Sequence, residues 1–280
     1  MASRADMLAE LGLTPTWRRR SARRGAPAAP GLDRTPASAT DLANEATMGS
    51  AREVSVPLAS ALARESSSAI VQDEPVAARA SRIALLPWRD FAADVDACTA
   101  CGLCRTRNKS VPGVGDVHAN WLFVGEAPGA EEDARGEPFV GQAGRLLDSM
   151  LAALRLSRDN NVYIANVLKC RPPNNRTPEP REAEACRPYL ERQIALIKPR
   201  LIVALGKSAA SLLLHTDATI ASLRGRLHAY GGVPLLVTYH PAYLLRNLPD
   251  KAKAWEDLVL AQRTVAAGAG PGTDVRDFVA

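Results

Sequence analysis

From about Trp88 onward, short apolar runs alternate with polar or glycine-rich turns. WLFVGE at 121–126, VYIANV at 162–167, LIVALG at 201–206 and PLLVTYH at 234–240 are apolar at nearly every position, as strands buried on both faces are. Between them the spacing changes to i, i+3, i+4. GRLLDSMLAALRL from Gly144 predicts one helix, and EPREAEACRPYLERQIALIKP predicts another that opens on acidic residues and stops before Pro199. A third helix follows LIVALGK and a last one spans LPDKAKAWEDLVLAQ. Strands alternating with helices of this length predict an α/β fold, a mostly parallel sheet covered by helices on both faces.

No such period runs through the first 85 residues. RRRSARRGAPAAPG, TPASAT and RESSSAI are rich in Ala, Pro, Ser and Arg and offer few large side chains to bury. The expected organisation is a disordered extension over 1–85, one domain over 86–268 and a flexible tail over 269–280. Within the extension, MLAELGL at 7–13 reads as a solvated tail or a short amphipathic docking turn. Arg18 to Arg20 with Arg23 and Arg24 read as a spacer or as a source of non-specific phosphate attraction.

Composition changes this picture little. A 280-residue chain with 46% hydrophobic and 23% charged residues is ordinary for a globular protein, and a net charge of +5 permits a polyanionic partner without requiring one. The start, MASRADMLAE, lacks the apolar core of a secretory signal, and no apolar stretch is long enough to cross a bilayer. A soluble, cytoplasmic protein is expected. Five cysteines fit a reducing compartment, where thiols stay free or bind metal.

Cys98 and Cys101 form a C-x2-C pair, and Cys170 and Cys186 follow far downstream. Cys98, Cys101 and Cys104 begin like a bacterial ferredoxin run, but Asn108 stands where that pattern needs its fourth cysteine. A four-sulfur set from Cys98, Cys101, Cys170 and Cys186 suits zinc or a [4Fe-4S] cluster, and spacing does not choose between them. The plainer reading leaves Cys170 and Cys186 as buried core thiols. Cys104 has no place in the set.

The strand ends supply further candidates. In open α/β sheets ligands bind beyond the carboxyl ends of the strands. Here those ends are GEAPGAEED, Asn166, Gly206-Lys207 and His240-Pro241. One such ending is explained by turn chemistry alone. Four together mark a site.

GEAPGAEED, GEPFVGQAGRLLD, YIANVLKCRPPNNRTP, the Cys170-x15-Cys186 spacing and YHPAYLLRN occur in this order and together resemble the family 4 uracil-DNA glycosylases, the iron-sulfur type of bacteria and archaea. The resemblance runs from about Cys98 to the final helix. It implies a single three-layer α/β/α domain, a structural [4Fe-4S] cluster on Cys98, Cys101, Cys170 and Cys186, and a monofunctional hydrolase that releases uracil from single- or double-stranded DNA. A monomer with no membrane association is expected. Such an enzyme must extrude the base from the stack and read its edge. By resemblance Phe139 stacks on the flipped uracil, Asn166 separates uracil from cytosine, and His240 donates to the departing base's O2.

Ala127 stands where better-known uracil glycosylases carry an aspartate, which leaves Glu126 and Glu132 as the carboxylates available to place water. The wall against thymine's methyl group is expected near Glu132. Glu131 and Asp133 read as helix-start acids. Lys207 and Arg246 are expected to hold phosphates, and Leu244 or Leu245 to wedge into the duplex or pack in the core. Residues 171–180 contain no histidine of the kind that would trap the abasic sugar covalently, whereas Lys169 leaves lyase chemistry open. Two other classes stand beside the enzyme: a non-catalytic iron-sulfur DNA-binding accessory protein and an electron-transfer protein.

Overall fold

The computed structural model describes residues 75–268. The readings made for the extension before residue 75, including 7–13 and the arginine cluster, and for the tail from 269, lie outside the described residues. The four apolar runs become β2 (Trp121–Gly125), β3 (Val162–Asn166), β4 (Leu201–Leu205) and β6 (Val233–Thr238). Every residue of β2, β3 and β4 is buried, which explains why these strands show no polar alternation in the sequence. They pair in parallel in the order β3-β2-β4-β6. Two short antiparallel strands, β1 (Val114–Gly115) beside β3 and β5 (Leu227–Tyr230) beside β6, complete a six-stranded sheet. Both escape a reading of apolar runs, because one has two residues and the other is only partly buried.

Alternate strand residues feed two cores. Leu122, Val124, Ala165, Ile202, Ala204 and Val237 face α5 (Pro180–Ile197) and α6 (Lys207–Leu214), through Leu190, Ile194, Ala210 and Leu213. Phe123, Ile164, Val203 and Leu236 face α4 (Gln142–Ala153) and α9 (Lys251–Ala267), through Leu147, Leu151, Leu258 and Ala261. Two such helical layers over one sheet are the α/β/α sandwich expected. The boundaries of α5 follow from its sequence: Glu182 accepts from the backbone N–H of the N-cap Glu179 at 2.8 Å, Pro180 sits in the first turn, and Lys198 adopts the left-handed conformation before Pro199.

The domain begins earlier than expected. Val76–Ala84 form α1 and pack on α5, with Ile83 buried against Phe91, Val95 and Tyr189. The boundary at 85 therefore moves upstream to include α1. Its VAARASRIA segment places few large apolar residues at helical spacing, and the anchoring Arg79 reads as a surface residue until its partners are known. Those partners lie in α5 and beyond α2 (Trp88–Ala97): Arg79 donates to the Ala185 carbonyl at 2.8 Å and to Cys98 Sγ at 3.3 Å.

Candidate active site

The carboxyl ends of β2, β3 and β6 open onto a cavity of about 500 Å3 lined by Glu126, Ala127, Glu132, Phe139, Asn166, His240 and Arg246. Seven side chains singled out from sequence thus meet in one place, delivered by four separate segments. The loop from 171 to 179 adds Asn175 and Arg176 to the rim.

Asn166 ends β3 in register with Gly125 of β2 and is 2% exposed. Among the described residues no hydrogen bond engages its side-chain amide. A side chain at position 125 would meet Asn166 Oδ1 at 2.4 Å and the Phe139 ring at 2.7 Å, so glycine there lets amide and ring share the cavity floor. Phe139 has φ 55°, a conformation that a bulky side chain adopts at a cost of about 1–3 kcal/mol. Its backbone is held from two sides: Arg158 donates to the Phe139 and Pro138 carbonyls, and the backbone lies so close to Gly144 that a Cβ there would stand 1.6 Å from the Phe139 carbonyl oxygen. The held ring stacks on His240, centroids 5.5 Å apart and planes at 28°.

His240 caps α8 (Pro241–Leu244), its Nδ1 accepting from the Ala242 N–H at 3.1 Å. A neutral ring with Nδ1 as acceptor carries its proton on Nε2. Burial lowers the imidazole pKa to about 4, with Arg246 pushing the same way and Glu132 opposing, so the neutral form holds at pH 7. The two carboxylates separate in role. Glu132 accepts from the N–H groups of Gly129 at 3.1 Å, Val140 at 3.0 Å and Gly141 at 3.4 Å, which ties the β2 loop to the Phe139 loop. Glu126 has a pKa raised by burial and restrained by a hydrogen bond from Ser208 on α6. Ser208 was not singled out from sequence, and its only signal was a place three residues past the end of β4.

Several expectations change. Leu244 is 1% exposed and packs with Tyr239 and Ala254, so it belongs to the core and cannot wedge into DNA; Leu245 is 39% exposed. Lys207 is exposed at the start of α6 and does not line the cavity. Asp133 is no ordinary helix-start acid: it is fully buried and accepts from Asn108 N at 2.9 Å and Nδ2 at 2.6 Å. Lys169 is buried away from the cavity lining, with Nζ donating to the Asn166 carbonyl at 2.7 Å and to Gln193 Oε1 at 2.6 Å, which removes it from lyase chemistry.

Behind the cavity stand the cysteines. Cys98 and Cys186 pack against one apolar cluster of Ile83, Phe91, Val95 and Tyr189, and Cys101, Cys186 and Ala127 pack against the next, which contains Cys170. Burial raises the pKa values of Cys101, Cys170 and Cys186, the last to about 12. Cations and donors converge on the sulfurs nonetheless: Arg107 donates to Cys170 Sγ at 2.8 Å, Arg79 to Cys98, and the Lys169 N–H to Cys186 Sγ at 3.2 Å. All five cysteines are free, and among the described residues no three His, Cys, Asp or Glu side chains stand together as they would around a metal ion.

The sandwich and the polar cavity at its strand ends match a known class. Residues 112–259, more than half of the chain, match the uracil DNA glycosylase superfamily, and the chain belongs to that family. It is similar to the type-4 uracil-DNA glycosylase of Thermotoga maritima, 48% identical over 161 residues (57% of this chain and 83% of the relative). It is also similar to that of Archaeoglobus fulgidus, 46% identical over 164 residues (56% and 82%). A type-5 uracil-DNA glycosylase of Pyrobaculum aerophilum is 33% identical over 178 residues (58% and 77%).

Proposed function

We propose that this chain is a type-4 uracil-DNA glycosylase, a hydrolase of DNA repair that cleaves the N-glycosidic bond of deoxyuridine. The observation that carries the residue assignments is the convergence of Glu126, Phe139, Asn166 and His240 on one cavity. The flipped base lies on the Phe139 ring. Its N3–H donates to Asn166 Oδ1 while Asn166 Nδ2 donates to its O4; cytosine presents the opposite polarity at both positions and leaves the buried amide mismatched. As the C1′–N1 bond breaks, negative charge gathers on O2, and the neutral His240 donates to it from Nε2. The sugar becomes oxocarbenium-like and water adds to C1′ from the opposite face. Glu126 orients that water and accepts its proton, a role suited to a carboxylate whose pKa is raised. Glu132 holds the two loops that frame the pocket. Leu245 and Arg246 contact the DNA around the extruded nucleotide, with Lys207 on a phosphate.

Cys98, Cys101, Cys170 and Cys186 would hold a [4Fe-4S] cluster: four thiols from three stretches of chain pack on adjoining apolar clusters, and Arg79 and Arg107 donate to Cys98 and Cys170. When bound, the cluster braces the loops before β1 and after β3. Zinc is the competing occupant, and metal analysis with visible absorption decides: iron with a brown colour supports the cluster, and colourless protein with stoichiometric zinc overturns it. Among the described residues no helix is long and apolar enough to cross a membrane. The enzyme acts on single- and double-stranded DNA as a cytoplasmic monomer. The test of the reading is release of free uracil from an oligonucleotide containing one deoxyuridine, alongside Asn166→Asp. Wild type is expected to release uracil and not cytosine, and the variant to lose that preference. A wild-type protein that binds the oligonucleotide and releases no base would leave the accessory-protein reading.

A further inference from the structure

Asn166 is held by more than its strand. Val167 N–H donates to the Gly125 carbonyl at 2.9 Å, which ties the backbone just past β3 to β2. By strand alternation the polar groups of Asn166 itself point the other way, toward β1. But β1 pairs only with Tyr163 and Ile164 and stops short of Asn166. The Asn166 carbonyl would be buried without a strand partner, which is costly for a backbone acceptor. Lys169 supplies the missing donor, its Nζ 2.7 Å from that oxygen.

Lys169 is 1% exposed, and an apolar side chain of similar length would fill the space without the desolvation of an ammonium. Its head group is itself fixed. Gln193 of α5, fully buried, accepts from Nζ at 2.6 Å and donates through Nε2 to the Pro112 carbonyl at 2.7 Å and the Tyr163 hydroxyl at 3.3 Å. The chain of contacts runs from α5 through one cation to the carbonyl of the residue whose side chain lines the cavity.

On the uracil-reading role proposed for Asn166, we infer that Lys169 is a positioning residue: held by Gln193, it fixes the peptide at the end of β3 and thereby aims the Asn166 amide at the base. Lys169 touches no substrate. Its effect passes through Asn166 alone, and that sets it apart from a residue that merely supports the fold.

The experiment is a double-mutant cycle in single-turnover excision of uracil, on the full chain as purified, with melting temperatures recorded for every variant. Lys169→Met is expected to lower the wild-type excision rate about tenfold with KM within about twofold, since one misaimed hydrogen bond is worth about 1–1.5 kcal/mol. In an Asn166→Ala background the same change is expected to alter the remaining rate less than twofold. Equal losses in both backgrounds overturn the proposal, as does an unchanged rate in Lys169→Met. Should Lys169→Met fail to fold, Gln193→Leu releases the ammonium from its anchor and is judged by the same cycle. The proposed function stands or falls separately, because it is read from wild-type uracil release.

Discussion

The cavity at the strand ends and the cysteines behind it both bury ionisable groups, but they differ in what faces those groups. In the cavity, burial moves ionisable groups toward neutrality: the His240 pKa falls to about 4 and that of Glu126 rises. Around the cysteines, Arg79, Arg107 and the Lys169 backbone all direct donors at sulfur. A site that must stabilise charge only while a bond breaks gains from donors already oriented and desolvated. The cluster proposed for the cysteines would carry standing negative charge, and fixed cations at the sulfurs would suit it. Ala127 stands between the two, lining the cavity while packing on the cysteine cluster, so bracing one shapes the other.

The sharpest break between the regions is expected from His240→Ala. Removing a donor aimed at developing charge lowers excision by about a hundred- to a thousandfold, with the melting temperature little changed. Single-turnover kinetics with thermal denaturation checks both. On the cysteine side Cys170→Ser is expected to do the reverse, removing about 3 kcal/mol of stability and hence roughly 10 °C of melting temperature, with activity falling only as folded protein is lost. A Cys170→Ser protein that melts normally yet is inactive would erase the distinction between the regions.

Gly125→Ala tests the crowding within the cavity. The added methyl would press on Asn166 Oδ1 and the Phe139 ring, and about a tenfold loss in kcat/KM is expected without unfolding. Smallest is the pH response. His240 is neutral well below pH 6, so its ring contributes no inflection to excision between pH 6 and 8. Because its folded pKa lies below the unfolded value of 6.5, its contribution to stability is full above pH 6.5 and is lost as pH falls through about 4. Melting temperatures of wild type and His240→Asn, similar at pH 7–8, should separate toward pH 4, with the wild type falling below the variant; parallel curves would contradict the lowered pKa.

Much of the cavity was legible in the sequence, because strands buried on both faces read as apolar runs and their carboxyl ends mark where ligands bind. Asn166 and His240 stand out on that basis, whereas Phe139, in a loop between two helices, was found only through the family resemblance. Position along the chain says nothing of what a side chain meets across the fold. Glu132 and Glu126 looked alike as carboxylates until three backbone N–H groups claimed the first and Ser208 the second. Leu244 and Leu245 were equivalent until α8 turned one of them into the core. Helix α1 was missed because its anchor is an arginine, and the hold of Lys169 and Gln193 on β3 joins residues 24 apart in sequence.

The account depends on one base being read by three side chains, and the most direct measurement is a crystal structure of the protein with DNA carrying a deoxyuridine analogue whose glycosidic bond resists hydrolysis. Uracil is expected out of the helix and flat on Phe139, with its O2 within hydrogen-bond distance of His240 Nε2 and its N3–O4 edge on the Asn166 amide. A base still stacked in the duplex, or extruded into another part of the surface, would contradict it.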